Sequence, residues 1–265
     1  MDLIAPRIFC VGTHHKTGTL WMRAVFRRLA EALGLEFRNT FPTSTSDEIP
    51  DRVRVVLTSW SSSFSAELLA RADVRVLHLI RDPRDVLLSG MRYHLRAAPE
   101  GERFLHTPRS RLGGATYQQH LNALDGVEAK LLFEMRGKHA ETVSEMVAWD
   151  YGRANTIECR YEDLMADTEG RAFARHLRDL GLPEPEVSLG ARVFWEQSLF
   201  GGLAPEEQRS DRVRTHVEDG RVAQWRQALP ASVARTYAEE FGEALVHLGY
   251  EDHPTRWLNE VRHAA

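Results

Sequence analysis

The chain has 265 residues, 43% of them hydrophobic and 27% charged, with no biased tract. That balance excludes a disordered or fibrous protein and suits a single α/β domain with a sizeable core. A net charge of −4 argues against a protein that coats nucleic acid, because neutralising phosphates needs a basic excess. Cys10 and Cys159 sit in apolar runs and read as reduced core residues, and no stretch reaches the roughly 18–20 apolar residues of a membrane span, so a cytoplasmic setting is expected.

Short β-branched runs alternate with longer amphipathic stretches, the pattern of a central parallel sheet flanked by helices. Residues 7–12 are the first predicted strand, and 20–34 a helix whose apolar face carries Leu20, Met22, Val25, Phe26 and Leu29 and which ends at Gly34. Strands at 53–59 and 74–80 follow, with a short helix between them, and polar residues stand at their carboxyl ends, where open α/β sheets place ligands. Pro83 marks the first turn of the next helix. Residues 98–114 carry two prolines, three glycines and mixed charge and read as a loop, for which a lid and a plain surface connection fit equally. Helices are predicted at 115–136, 139–153, 168–181, 188–198 and 231–248, a fourth strand at 155–160, and an irregular polar segment at 199–230.

The stretch "CVGTHHKTGTLWM" (10–22) joins the first strand to the first helix through a tight turn. Successive backbone N–H groups before a helix N-terminus suit a phosphate or sulfate, and Gly18 permits φ > 0. The nucleoside-triphosphatase loop would place its lysine after the second glycine, whereas Lys16 precedes Gly18, so that match fails. In "IRDPRDVLLSG", Arg81 ends a strand and Ser89 lies eight residues on, two turns into the following helix. A guanidinium and a hydroxyl so spaced can converge on one oxyanion, with Asp82 and Asp85 as caps or ion-pair partners.

Together these stretches resemble the sulfotransferases that use 3′-phosphoadenosine 5′-phosphosulfate (PAPS). "HHKTGTLW" is similar to that family's 5′-phosphosulfate loop, "IRDPRDVLLS" to its 3′-phosphate element, "RYEDLMAD" (160–167) to its tyrosine segment and "GRVAQWRQAL" (220–229) to its C-terminal segment, all in the family's order. The resemblance implies that Lys16 neutralises charge at the bridging oxygen and that the N–H groups of Thr17, Gly18, Thr19 and Leu20 cradle the 5′-phosphate. It implies further that Trp21 stacks on adenine, that Arg81 and Ser89 hold the 3′-phosphate, and that Tyr161 closes the nucleotide pocket, with Ser198 and Phe200 near adenine. PAPS is then the co-substrate, no metal is required by the pattern, and the sulfuryl group passes in line to a small-molecule, lipid or glycan acceptor by positioning and charge stabilisation.

Three departures qualify the resemblance. Where many family members carry a histidine base after the second strand, Trp60 stands. The remaining candidates for a base, in order, are His15, His14, Glu36 and His94. In the C-terminal segment Glu218 and Asp219 replace basic residues and Ala223 replaces the second glycine, which leaves Arg221 or Arg214 as the basic contact for the cofactor; Leu20 replaces a loop hydroxyl. Arg92, Arg96, Arg103, Arg109 and Arg111 suit an anionic acceptor, whereas Phe104 and Tyr117 suit a flat one. The alternatives left open are an atypical P-loop kinase and a degenerate nucleotide-binding protein.

Overall fold

The computed structural model describes residues 5–40, 49, 52–99, 102–200 and 220–262. Within its α/β fold two compact units are distinguished, residues 1–81 with 148–204 and residues 82–147 with 205–265.

The first unit holds the sheet. Strands β1 (Ile8–Gly12), β2 (Glu36–Asn39), β3 (Val55–Ser59), β4 (Val74–Ile80) and β5 (Thr156–Arg160) lie in the order β2-β3-β1-β4-β5, all parallel. Helix α1 (Thr19–Leu33) carries the chain from β1 out to β2, and α2 (Ala66–Leu69) carries it from β3 across β1 to β4. The strand order therefore reverses at β1, and the carboxyl end of that strand opens a crevice of the kind in which α/β sheets bind ligands.

Both sheet faces are covered, as the continuous apolar strands require. On β1, Phe9 and Val11 join the core beneath α1 and helices α8 (Tyr161–Ala166), α9 (Arg171–Asp179) and α10 (Glu184–Glu196), while Ile8 and Cys10 pack with Leu68 and Leu69 of α2 on the other face. The two cysteines are free and buried, and burial pushes both thiols well above the ordinary range. Neither is poised as a nucleophile.

In the second unit, α3 (Pro83–Arg96), α4 (Arg103–His106), α5 (Tyr117–Ala123), α6 (Gly126–Glu134), α7 (Ala140–Val147), α11 (Trp225–Ala228) and α12 (Ala231–His247) share a core that includes Leu87, Leu121, Leu131, Trp225, Tyr237 and Trp257. A π-turn at Met135–His139 joins α6 to α7, and a Cβ on Gly137 would collide with the Tyr117 hydroxyl, so any side chain there would have to displace that ring.

Several predicted boundaries are corrected. A fifth strand, β2, was not expected. Residues 98–114, expected as a loop, contain α4 and a 3-10 turn at Ser110–Leu112. The helix expected over 115–136 breaks at Leu124–Asp125, where Gly126 takes φ 73, and that expected over 139–153 ends at Val147. Helix α10 begins at Glu184 rather than 188, and α11 interrupts the segment expected to be irregular over 199–230, of which 201–219 lies outside the described residues. Among the described residues no helix is long and apolar enough to cross a membrane.

Candidate active site

The loop after β1 is built from inside. His14 and Thr17 are both fully buried. The Thr17 hydroxyl accepts the His14 N–H at 2.8 Å and lies within bonding distance of the carbonyls of His14 (2.9 Å) and Leu79 (3.3 Å), while the Thr17 N–H bonds the His14 carbonyl at 3.1 Å. Thr19 donates its hydroxyl to the same carbonyl at 2.9 Å. Lys16 is thereby held at φ 64, and Gly18, at φ 108, becomes the N-cap of α1. A side chain at 18 would press on Tyr161 at 3.1 Å and Leu79 at 3.3 Å.

Helix α1 has no side-chain cap and no acidic residue in its first turn. Its first N–H to find an acceptor is that of Met22, on the Gly18 carbonyl at 3.0 Å. Among the described residues no hydrogen bond takes the N–H groups of Gly18, Thr19, Leu20 or Trp21. Four open donors at the positive end of a helix dipole form a site for an anion. The expected cradle ran from Thr17 to Leu20; because the Thr17 N–H is bonded to His14, the open set runs one residue later.

Arg81 follows β4 directly and Tyr161 follows β5, so both stand at the same carboxyl edge as the loop. The buried Arg81 guanidinium lies 4.3 Å from the Tyr161 ring centroid and donates to the Lys16 carbonyl at 3.3 Å. It therefore braces the turn while adding positive charge beside it. Trp21 stacks on Phe194 at 4.9 Å and meets Tyr161 and Phe200 edge-on at 6.2 and 6.0 Å. Its indole Nε1 is buried with no hydrogen-bond partner among the described residues. Ser198 is buried and donates to the Trp195 carbonyl at 2.7 Å.

No protein-family model and no curated protein matches the sequence. Solved structures do match in shape. A mouse sulfotransferase complexed with PAP superposes with a TM-score of 0.52 at 19% identity, covering 98% of this chain and 89% of that one. Retinol dehydratase matches in two complexes: with androsterone and inactive cofactor PAP (TM-score 0.55, 15% identity, 91% of this chain and 81% of that one), and with retinol and PAP (0.53, 16%, 91% and 82%). The fold is that of the PAPS-dependent sulfotransferases.

Within this sulfotransferase fold the candidate bases separate. His15, half-buried, is the one in the loop whose neighbour His14 turns inward. The His14 ring is removed from the list by its burial and its 2.9 Å contact with His78 Nε2. Glu36 is removed by register: it pairs with Val55, which pairs with Ile8, so it lies at the amino end of the sheet, set back along the strand direction from Gly12 by four residues or roughly 13 Å. His94, in the second unit, is fully buried with Nδ1 2.7 Å from Glu134 Oε2, a carboxylate that also accepts the Tyr117 hydroxyl at 2.9 Å.

A cavity of about 220 Å³ opens on the β3 side of the loop, lined by Thr13, Thr19, Arg23, Asn39, Thr58 and Trp60 among others. Trp60, which stands where a histidine was expected, is 63% exposed. Neither the cavity nor the His14–His78 contact carries a signal readable in sequence, because each depends on strands brought together by the sheet.

In the second unit the acidic residues of "RDPRD" are structural. Asp82 caps α3 through the Arg84 N–H at 2.9 Å and accepts the Trp225 indole N–H at 3.1 Å, while Asp85 accepts the Trp225 backbone N–H at 3.1 Å. Arg84, 2% exposed, pairs with Asp82 and Glu251 and stacks on Trp225 at 3.7 Å. The second motif thus anchors the tryptophan of the fourth. Ser89 lies half-buried on α3, and Arg221 is exposed with its carbonyl accepting from Gln224 at 2.9 Å. Arg92 bonds Gln224 at 2.7 Å, and Arg109 lies 5.1 Å from the Tyr117 ring. Arg214, Glu218 and Asp219 lie outside the described residues.

Proposed function

We propose that this protein transfers a sulfuryl group from PAPS to a hydroxyl or amine of a small-molecule, lipid or glycan acceptor. The observation that carries the reading is the run of four open N–H groups, Gly18 to Trp21, beside Lys16 in a fold shared with PAP-bound sulfotransferases. In this reading those donors hold the 5′-phosphate, and the Lys16 ammonium faces the bridging oxygen whose bond to sulfur breaks. Charge growing on the leaving phosphate is stabilised there by groups that need no rearrangement. Arg81 binds the 3′-phosphate, with Ser89 assigned to the same group by resemblance, and Arg221 or Arg214 supplies the basic contact from the C-terminal segment. Trp21 and Tyr161 offer aromatic surface to the adenine, the acceptor enters the cavity beside Trp60, and His15 takes the acceptor proton.

Adenosine 3′,5′-bisphosphate tests the reading by thermal shift. The wild type is expected to gain several degrees at saturating ligand. Lys16→Ala and Arg81→Ala should lose most of that gain. Turnover of labelled PAPS over an acceptor panel should be abolished in Lys16→Ala and depressed in His15→Ala with binding retained. A preference for ATP with Mg²⁺ would instead indicate a kinase, and binding without any sulfated product a degenerate nucleotide binder. No shift at millimolar bisphosphate overturns the proposal.

A further inference from the structure

His14, His78 and Glu158 form a chain of polar contacts through the first unit. In register, Gly12 of β1 pairs with His78 of β4, and His78 with Glu158 of β5, so one row of the sheet leads from the loop to its edge strand. The His14 and His78 rings, both fully buried, meet Nε2 to Nε2 at 2.9 Å and edge to face at 5.1 Å. On the far side His78 Nδ1 lies 2.6 Å from Glu158 Oε2, and the other carboxylate oxygen accepts the Trp149 indole N–H at 2.8 Å. Trp149 also stacks on the His78 ring at 4.2 Å.

Proton accounting fixes the direction of these bonds. An ionised carboxylate only accepts, so His78 carries a proton on Nδ1 and presents Nε2 to His14, and one proton lies between the two Nε2 atoms. That ring contact orients the His14 peptide, whose carbonyl receives the Thr17 N–H and the Thr17 and Thr19 hydroxyls. The turn so closed holds Lys16 at φ 64 and opens the N–H groups of α1. A left-handed lysine persists only where its surroundings over-determine it.

We propose that the His14–His78–Glu158 chain is a positioning relay that keeps the loop in its anion-binding shape, an inference that rests on the reading of that loop as the phosphosulfate site. None of the three side chains is assigned a contact with substrate; they act through the His14 backbone. A hydrocarbon at position 78 would fill the space but leave the loop without its orienting bond.

Two measurements on the full-length chain test this: hydrogen exchange of the peptide covering residues 13–22, and the dissociation constant of adenosine 3′,5′-bisphosphate. His78→Phe retains a ring to stack on Trp149 but has no nitrogen. Loop exchange is expected to rise about tenfold and bisphosphate affinity to fall about tenfold, with the melting temperature lowered by a few degrees. His78→Gln, whose amide reaches the Nε2 position, should recover most of both, and Glu158→Gln should show a smaller loss, about threefold. Should His78→Phe fail to fold, Glu158→Gln carries the test, because that side chain is one-third exposed. Loop exchange and affinity within twofold of wild type in both variants would overturn the relay, as would His78→Gln behaving no better than His78→Phe. If the wild type binds no bisphosphate, the proposed function falls, while loop exchange still decides the relay.

Discussion

Among the described residues three that are not glycine hold positive φ: Lys16 at 64, Ser62 at 51 and Ala223 at 55. A left-handed backbone costs a residue with a Cβ about 1–2 kcal/mol. At Lys16 the surrounding hydrogen bonds impose it, and at Ser62 the hydroxyl donates to the Thr13 carbonyl at 3.1 Å. Ala223 stands where the resemblance expects glycine, and the structure shows that the chain adopts the glycine conformation regardless, just before Trp225. Ala223→Gly should therefore stabilise the protein. Relief of strain outweighs the extra chain entropy of glycine, leaving about 0.5–1 kcal/mol, to be read as a raised urea midpoint at unchanged slope. The same locality explains what was legible residue by residue. Lys16, Gly18 and Arg81 stand out in sequence because each belongs to a contiguous run, but the turn that holds Lys16 at φ 64 also uses Leu79 and Arg81, more than 60 positions away. The inward turn of His14 depends on His78, 64 positions away, and no pattern within the loop distinguishes it from His15.

Elements were legible where apolar periodicity was strong. Strands β1, β3 and β4 are buried apolar runs, and they and β5, in which only Cys159 is buried, fell close to their expected spans. Strand β2, "EFRN", is an edge strand of four residues with two charged and none fully buried, so it carries no alternation to read. Its discovery matters for the site, because it places Glu36 at the wrong end of the sheet. Two missed boundaries did have signals: Asp125-Gly126 marks the break between α5 and α6, and Pro183-Glu184-Pro185 marks the start of α10. Helix contacts were not legible. Gly242, inside α12, would place a Cβ 2.7 Å from the Pro254 carbonyl oxygen and 2.8 Å from its Cβ. Helix propensity favours alanine there by about 1 kcal/mol, but a backbone neighbour cannot rotate away. Gly242→Ala is expected to destabilise by about 1–3 kcal/mol net, seen as a lowered denaturation midpoint. An unchanged midpoint would mean that the 254 segment moves freely.

For the molecule as a whole, identities of 15–19% to structures sharing its architecture mean that the fold survives on burial pattern and strand order, with few residues held in common. Global stability should then report on groups peculiar to this chain, and His176 on α9 is one. Burial lowers its pKa, against a weaker opposing pull from Asp179. The folded state thus prefers the neutral ring, whereas the unfolded chain takes up a proton near the ordinary value of about 6.5. Between the depressed folded pKa and that value the unfolded state binds more protons, so stability rises with pH across the window and falls as the solution is acidified through it. His176→Gln removes the titration. Its melting temperature should change less than that of the wild type between pH 7 and 5, with the gap between the two curves widening toward acid. Parallel curves would show that the imidazole is solvated as well in the fold as in the open chain.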